Sequence, residues 1–302
     1  MTGPVVRPHQ PNPPILAAVD GSAVSYQAAA WAADAAALHG CGLHLVTSIA
    51  LPAEYGPGAL LTDADTDWMR SDGERILTEA ARAARTAAPG EEPPISTEVS
   101  WSRIIPDLLE RSRTVRMLVL GSHGLGALRR GLVGSVTTAV LRHAHCPVGV
   151  IHYRQAVDPT VTSRPVLVGV DGSGNSRPAL AVAFQEASLR KVDLTAVHAW
   201  SDIPVTRPMS ADWETAMRDS EEMVLAESMA GWSEQYPDVS VQRIMVQDRP
   251  VRALLEQAES AQLVVVGSHG RGGFAGMLLG ATSNALVHSV GCPIVVVRAE
   301  ES

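Results

Sequence analysis

The stretch MLVLGSHGLGALRRGLVGSVTTAVLRHAHCPVGVI, residues Met117 to Ile151, returns without a gap as LVVVGSHGRGGFAGMLLGATSNALVHSVGCPIVVV, residues Leu263 to Val297. Each copy holds an apolar run, a glycine-rich loop, a short helical pattern and a second apolar run after Cys-Pro. Gly121 pairs with Gly267, His123 with His269, Gly134 with Gly280 and Cys146 with Cys292, always 146 positions apart (267 less 121). An unbroken offset across strand, loop, helix and strand is one fold written twice, and the repeat length is that of a whole domain.

Working outward, the pattern of the first half predicts a strand from Ile15 to Val19 that ends on Asp20-Gly21-Ser22. An alanine-rich helix from Ser25 to His39, with Trp31 at its centre, follows and is stopped by Gly40. Next come a strand Leu43 to Ile49, a loop through Pro52, Pro57 and Gly58, and a helix from about Asp67 to Ala88. A loop of that length in a compact domain is usually functional or mobile. A strand Ile95 to Trp101, a helix Pro106 to Arg113, the strand Met117 to Leu120, the glycine loop, a helix after Ser135 and the strand Cys146 to His152 complete the unit. The second half repeats it: strand Val166 to Val170 ending on Asp171-Gly172-Ser173, helix Ser176 to Arg190, strand Leu194 to Ala199, helix Trp213 to Tyr236 and strand Val239 to Val246. A helix Val251 to Ser260, strand Leu263 to Val266, a helix from about Thr282 and strand Pro293 to Val297 follow. Nearly continuous Val/Leu/Ile strands alternating with helices are the mark of parallel sheets covered on both faces. The expected fold is therefore two tandem doubly wound α/β domains, 15–153 and 165–302, joined by a linker at 154–164 and preceded by a Pro-rich arm at 1–14, which carries five prolines and reads as disordered.

Composition agrees and narrows the function. At 302 residues and 46% hydrophobic, the chain can bury two ordinary cores. Its net charge is −8, Lys191 is the only lysine, and no basic block could lie along a nucleic-acid backbone, so nucleic-acid binding is not expected. Cys41, Cys146 and Cys292 are odd in number and without close spacing, which favours reduced, buried thiols in a cytoplasmic protein over disulfides or a metal site. No apolar run is long enough to span a membrane.

In an open α/β sheet the ligand crevice lies at the carboxyl ends of the strands, where the strand order reverses. Asp20 and Asp171, with the glycine loops from Gly121 and Gly267, fall at such ends in both halves. Gly121, Gly124, Gly126 and Gly134 allow backbone amides to approach a ligand, and the helix opened by Ser135 favours an anion at its N-terminus. An aspartate suits hydroxyls rather than phosphates, so the pair of features points to a nucleotide. A P-loop is excluded because no lysine follows a loop glycine, and the dinucleotide fingerprint and the G-x-S-x-G elbow are both missing after the first strands.

The spacing Gly121-x-x-Gly124, nine residues, Gly134-Ser135, together with Val19-Asp20-Gly21-Ser22, resembles the ATP-binding motif of the universal stress protein family, and it does so in both halves. The resemblance implies a five-stranded parallel sheet of order 3-2-1-4-5 in each domain. It implies ATP, with or without Mg2+, at the carboxyl edge: Asp20 beside the nucleoside, Gly121 and Gly124 along ribose and phosphates, Gly134 and Ser135 at the outer phosphates. The second half matches at Asp171, Gly267, Gly270 and Gly280, but Ala281 replaces the serine and Thr282 stands one place later. Weaker phosphate binding is expected there, since a hydrogen bond to a charged group contributes ~1.5–3 kcal/mol.

Other residues have plainer readings. Asp-Gly-Ser is also turn chemistry, and Ser135 could be an N-cap. His123 and His269 lack an orienting acidic partner, His143, His145 and Cys146 read as packing rather than metal ligands, and Arg129 and Arg130 either clamp phosphates or are solvated. Trp31, Trp213 and Trp232 read as core. With no acidic metal-binding pair, activated nucleophile or lysine beside the loops, no catalytic residue is assigned. The expected role is nucleotide-dependent regulation in stress or growth adaptation through an unknown protein partner. The last strands of the two domains would pair within the chain, and a further homodimer stays open. The alternatives are a slow ATP hydrolase on the same fold and a nucleotide-free interaction module.

Overall fold

A computed structural model of the chain describes residues 12–50, 62–87, 92–124, 133–153, 159–174, 176–200, 211–271 and 278–299. The first half runs β1 (Ile15–Ala18), α1 (Ala23–Leu38), β2 (Leu43–Ser48), α2 (Asp63–Ala87), β3 (Ile95–Ser100), α3 (Ile104–Arg111), β4 (Met117–Gly121), α4 (Ser135–His143) and β5 (Val148–Ile151). The second half runs β6 (Val166–Gly169), α5 (Ser176–Arg190), β7 (Leu194–Ala199), α6 (Ala211–Met229), α7 (Trp232–Gln235), β8 (Val241–Val246), α8 (Pro250–Ala258), β9 (Leu263–Gly267), α9 (Ala281–Ser289) and β10 (Ile294–Val297).

All ten strands form one sheet in the order β3-β2-β1-β4-β5-β10-β9-β6-β7-β8. Each half has the parallel order 3-2-1-4-5, and the two halves meet where β5 and β10 pair antiparallel, Val148 opposite Val296 and Val150 opposite Ile294. The sheet edge that each half would expose at its fifth strand is thus covered by the other half, which removes a template for pairing with foreign strands. Alternation along β1 sends Ile15 and Ala17 into a core with α1, α2 and α5, and Leu16 into the opposite core with α3, α4, α8 and α9.

The halves are also joined through helices α1 and α5. Glu186, 1% exposed, accepts a hydrogen bond from His39 Nε2 at 2.7 Å and one from Arg190 Nε at 3.0 Å. Arg190 also reaches Asp34 at 3.4 Å and lies over the Trp31 ring, 5.5 Å from its centroid. Trp31 in turn rests above Gly149, where an added Cβ would sit 3.4 Å from the indole. Burial pushes the Glu186 carboxyl up, but the His39 bond and the Arg190 charge more than offset it and hold the group below the usual carboxylate range.

Several element bounds differ from those read in the sequence, each for a local reason. Helix α2 starts at Asp63 because Thr62 and Asp65 cap each other: the Thr62 N–H and hydroxyl donate to Asp65 Oδ2 at 3.0 and 2.7 Å, and the Asp65 N–H donates to Thr62 Oγ1 at 3.2 Å. Helix α1 starts at Ala23 because Ser22 is its N-cap and accepts from the Ser25 N–H. The single helix expected from Trp213 to Tyr236 is broken at Gly231, which takes φ +80°, and Trp232 then stacks on Phe184 with centroids 5.3 Å apart. The sequence's loop through Pro52, Pro57 and Gly58 and the arm up to residue 11 lie outside the described residues. Asn12 is tied down, donating to the Gly40 carbonyl at 2.7 Å. In the span read as a linker, Pro159–Ser163 forms a 3-10 turn.

Candidate crevice at the carboxyl ends of the strands

Asp20 follows β1, and its Oδ1 accepts from the Ser22 N–H at 3.0 Å and the Ser22 hydroxyl at 2.6 Å. Gly21, with φ +87°, makes the turn that allows this. The aspartate is therefore an Asx-turn residue, as the plainer reading had it, and its carboxylate is held at the rim of the sheet. Across the switch point, β4 ends in Gly121. The Ser122 N–H donates to the Ile151 carbonyl at 2.8 Å, the Gly134 N–H to the Ser122 carbonyl at 2.7 Å, and the Thr137 hydroxyl to the Gly121 carbonyl at 2.8 Å. These bonds bring the far end of the glycine loop back to its start. Gly124 lies against the aspartate, so that a Cβ on it would overlap Asp20 Oδ2.

Between these elements is an open cavity of about 1050 Å³. Asp20, Gly121, Gly124, Gly134, Ser135 and His123 all line it. The position preceding helix α4 is Gly134, which has no side chain to cap the helix, and Ser135 is the exposed first helical residue rather than the N-cap. The first N–H groups of α4 therefore have no side-chain cap at the cavity. Thr47, Ile49, Trp68, Met69, Asp72, Arg75, Ile76, Arg103 and Ile104 also line it and were not singled out in the sequence. Arg75 is engaged by Asp72 at 2.7 Å and Glu79 at 3.1 Å. Arg103 precedes α3, and the matching residue before α8 is also an arginine, Arg249 (249 less 103 is 146), a signal that the repeat alignment carried. Gly126, Arg129 and Arg130 lie outside the described residues.

The second half repeats this frame almost bond for bond. Asp171 Oδ1 accepts from the Ser173 N–H at 2.9 Å and hydroxyl at 2.7 Å, Gly172 has φ +76°, and the Gly280 N–H donates to the Ser268 carbonyl at 2.7 Å. The Ser283 hydroxyl donates to the Gly267 carbonyl at 2.6 Å, as Thr137 does in the first half. Gly270 lies against Asp171, where an added Cβ would be 2.7 Å from Oδ2. Gly280 precedes α9 without a side-chain cap, Ala281 is its first residue and Thr282 its second. Ser122 and Ser268 contact His123 and His269 at Nδ1, 3.0 and 3.1 Å away. The two crevices share a backbone and differ in side chains.

This architecture defines the class: a tandem, doubly wound α/β protein with one glycine-loop crevice in each half. The family profile described as "Universal stress protein family" matches twice, over residues 12–152 and 162–298, and the chain belongs to that family. It is similar to the universal stress protein Rv2005c of Mycobacterium tuberculosis (strain ATCC 25618 / H37Rv), 45% identical over 285 residues that cover 94% of this chain and 96% of that protein. It is also similar to Rv2623 of the same strain, 40% identical over 291 residues, with 94% and 96% covered. Among solved structures, a universal stress protein from Archaeoglobus fulgidus DSM 4304 superposes with a TM-score of 0.63 at 22% identity, covering 94% of this chain and 97% of that one. Among the described residues no helix is long and apolar enough to cross a membrane.

Proposed function

We propose that the first domain binds ATP, with or without Mg2+, and that the protein is a nucleotide-dependent regulator in stress or growth adaptation. The observation that carries the binding is the cavity of about 1050 Å³, large enough for a small-molecule ligand, which gathers Asp20, the glycine loop and the uncapped start of α4 on its walls. Asp20 would accept from nucleoside hydroxyls. Gly121 and Gly124 would lie along ribose and phosphates, and Gly134, Ser135 and the N–H groups of α4 would hold the outer phosphates, where partial positive charge favours an anion. Gly124 is the fit test: a side chain there would collide with Asp20, so the loop can approach the aspartate only with glycine in that position. Membership of the universal stress protein family supports the stress-response role.

The reading is tested by purifying the protein without added nucleotide, denaturing it and separating the supernatant by ion exchange. Co-purified ATP supports it. ADP accompanied by measurable turnover would replace it with a hydrolase, and a clean supernatant combined with no heat of ATP binding would leave an interaction module.

A further inference from the structure

Three positions that are neutral in the first half of the sequence carry ionisable side chains in the second. His198 on β7 corresponds to Thr47 on β2, since β7 lies beside β6 as β2 lies beside β1. Helix α6 meets Gly172 with Val224 as α2 meets Gly21 with Ile76, and three residues earlier on each helix stand Glu221 and Gly73. Arg271 follows Gly270 where Leu125 follows Gly124.

The three side chains form a chain across the crevice. His198, buried at 1% exposure, meets the Val170 carbonyl through Nδ1 and Glu221 Oε2 through Nε2, each at 2.7 Å. Arg271 Nη1 donates to both oxygens of Glu221, at 2.9 and 3.1 Å. Burial pushes the Glu221 carboxyl up, but the His198 bond and Arg271 more than offset it, so Glu221 stays ionised and keeps its hold on the guanidinium. The guanidinium lies over Gly172, 2.7 Å from where a Cβ would be. The Arg271 N–H donates to Asp171 Oδ2 at 2.6 Å, while Ser173 engages Oδ1. Both oxygens of the aspartate are thus engaged by the protein itself.

In the first half the counterparts Gly21, Ile76 and Thr47 line an open cavity. We infer that Arg271, pinned by Glu221 and His198, is the specificity-determining residue of the second crevice and excludes adenine nucleotide from it, so that the chain takes one nucleotide rather than two. This rests on the reading of the first domain as the ATP site. It adds a second cause of inequality, independent of Ala281 in the phosphate cradle: a ligand's nucleoside could enter the second crevice only by displacing the guanidinium. Arg271 is itself 42% exposed, so removing its side chain leaves no cavity in the core.

The test is ATP stoichiometry of the full chain by native mass spectrometry and calorimetric titration, for the wild type, Arg271→Leu, Arg271→Ala, Asp20→Ala and Asp20→Ala with Arg271→Leu, with a melting curve for each. Leucine restores the residue found at the matching place in the first loop. The inference expects one ATP in the wild type, two in either Arg271 variant, none in Asp20→Ala and one in the double variant. Two ATP in the wild type, or an Arg271 variant that keeps one, overturns the exclusion and leaves the first-domain reading standing. A wild type that binds none overturns the first-domain reading, and the exclusion then stands only if Arg271→Leu gains a site.

Discussion

Replacing Glu186 by leucine should loosen the junction between the two halves. The carboxylate is 1% exposed and is the common partner of His39, 4% exposed, and Arg190, 8% exposed. Removing one member of a buried charge group leaves the rest desolvated and unpaired, which costs about 3–5 kcal/mol. Here the low end applies, because Arg190 keeps Asp34 at 3.4 Å and the Trp31 face. With an unfolding entropy of roughly 2.1 cal/mol/K per residue, a chain of 302 residues changes stability by roughly 0.63 kcal/mol per degree near its melting point, so ~3 kcal/mol is a drop of about 5 °C. Differential scanning calorimetry measures this directly, and the ratio of calorimetric to van't Hoff enthalpy shows whether both halves melt together. The pH dependence has a fixed sign. Because the folded Glu186 carboxyl lies below its ordinary value of 4.5, its contribution is whole above that pH and is lost as pH falls through the folded value. The gap between wild type and variant should therefore close in acid. A shift of under about 1 °C, or a gap that widens as pH falls, would refute this account of the junction.

Three further outcomes follow from the same geometry. Gly124→Ala should abolish ATP binding at an unchanged fold, because the new methyl group displaces Asp20; calorimetric titration with a circular dichroism control checks it. Arg103 is a cationic group on the cavity wall, so Arg103→Ala should weaken ATP by about tenfold, close to one charged hydrogen bond, while leaving adenosine within about twofold; equal losses for the two ligands would show that Arg103 does not act on the phosphates. Glu98 is held down to about 2 by hydrogen bonds from Arg111 at 2.7 and 2.8 Å, so it should stay ionised down to that pH in a carboxylate NMR titration. Its folded value is depressed, so its small contribution is present above pH 4.5 and disappears towards pH 2, and Arg111→Met should return its titration to the ordinary range.

The repeat was legible because it is local: a glycine loop between two apolar strands keeps its spacing in sequence, and from it came the doubled fold, while the strand order came with the resemblance to the universal stress protein family. Asp20 and Gly121 were legible for the same reason, as both sit at strand ends that topology brings together. The reciprocal cap of Thr62 and Asp65 was also written in the sequence, but the prolines before it drew the helix start four residues too late. What stayed hidden is non-local. His39 and Glu186 are 147 residues apart, and nothing in either neighbourhood announces the other. The chain His198–Glu221–Arg271 was obscured differently: the glycine loops repeat at an offset of 146 and the first strands at 151 (171 less 20), so one offset cannot align Thr47 with His198 and Leu125 with Arg271 together.

The central claim is that the Asp20 crevice is the ATP site, and calorimetric titration of ATP into the wild type, Asp20→Ala and Asp171→Ala tests it most directly. Binding should vanish with Asp20→Ala and persist, within about threefold in affinity, with Asp171→Ala, a difference below ~1 kcal/mol. Loss of binding with Asp171→Ala and its retention with Asp20→Ala would contradict the claim.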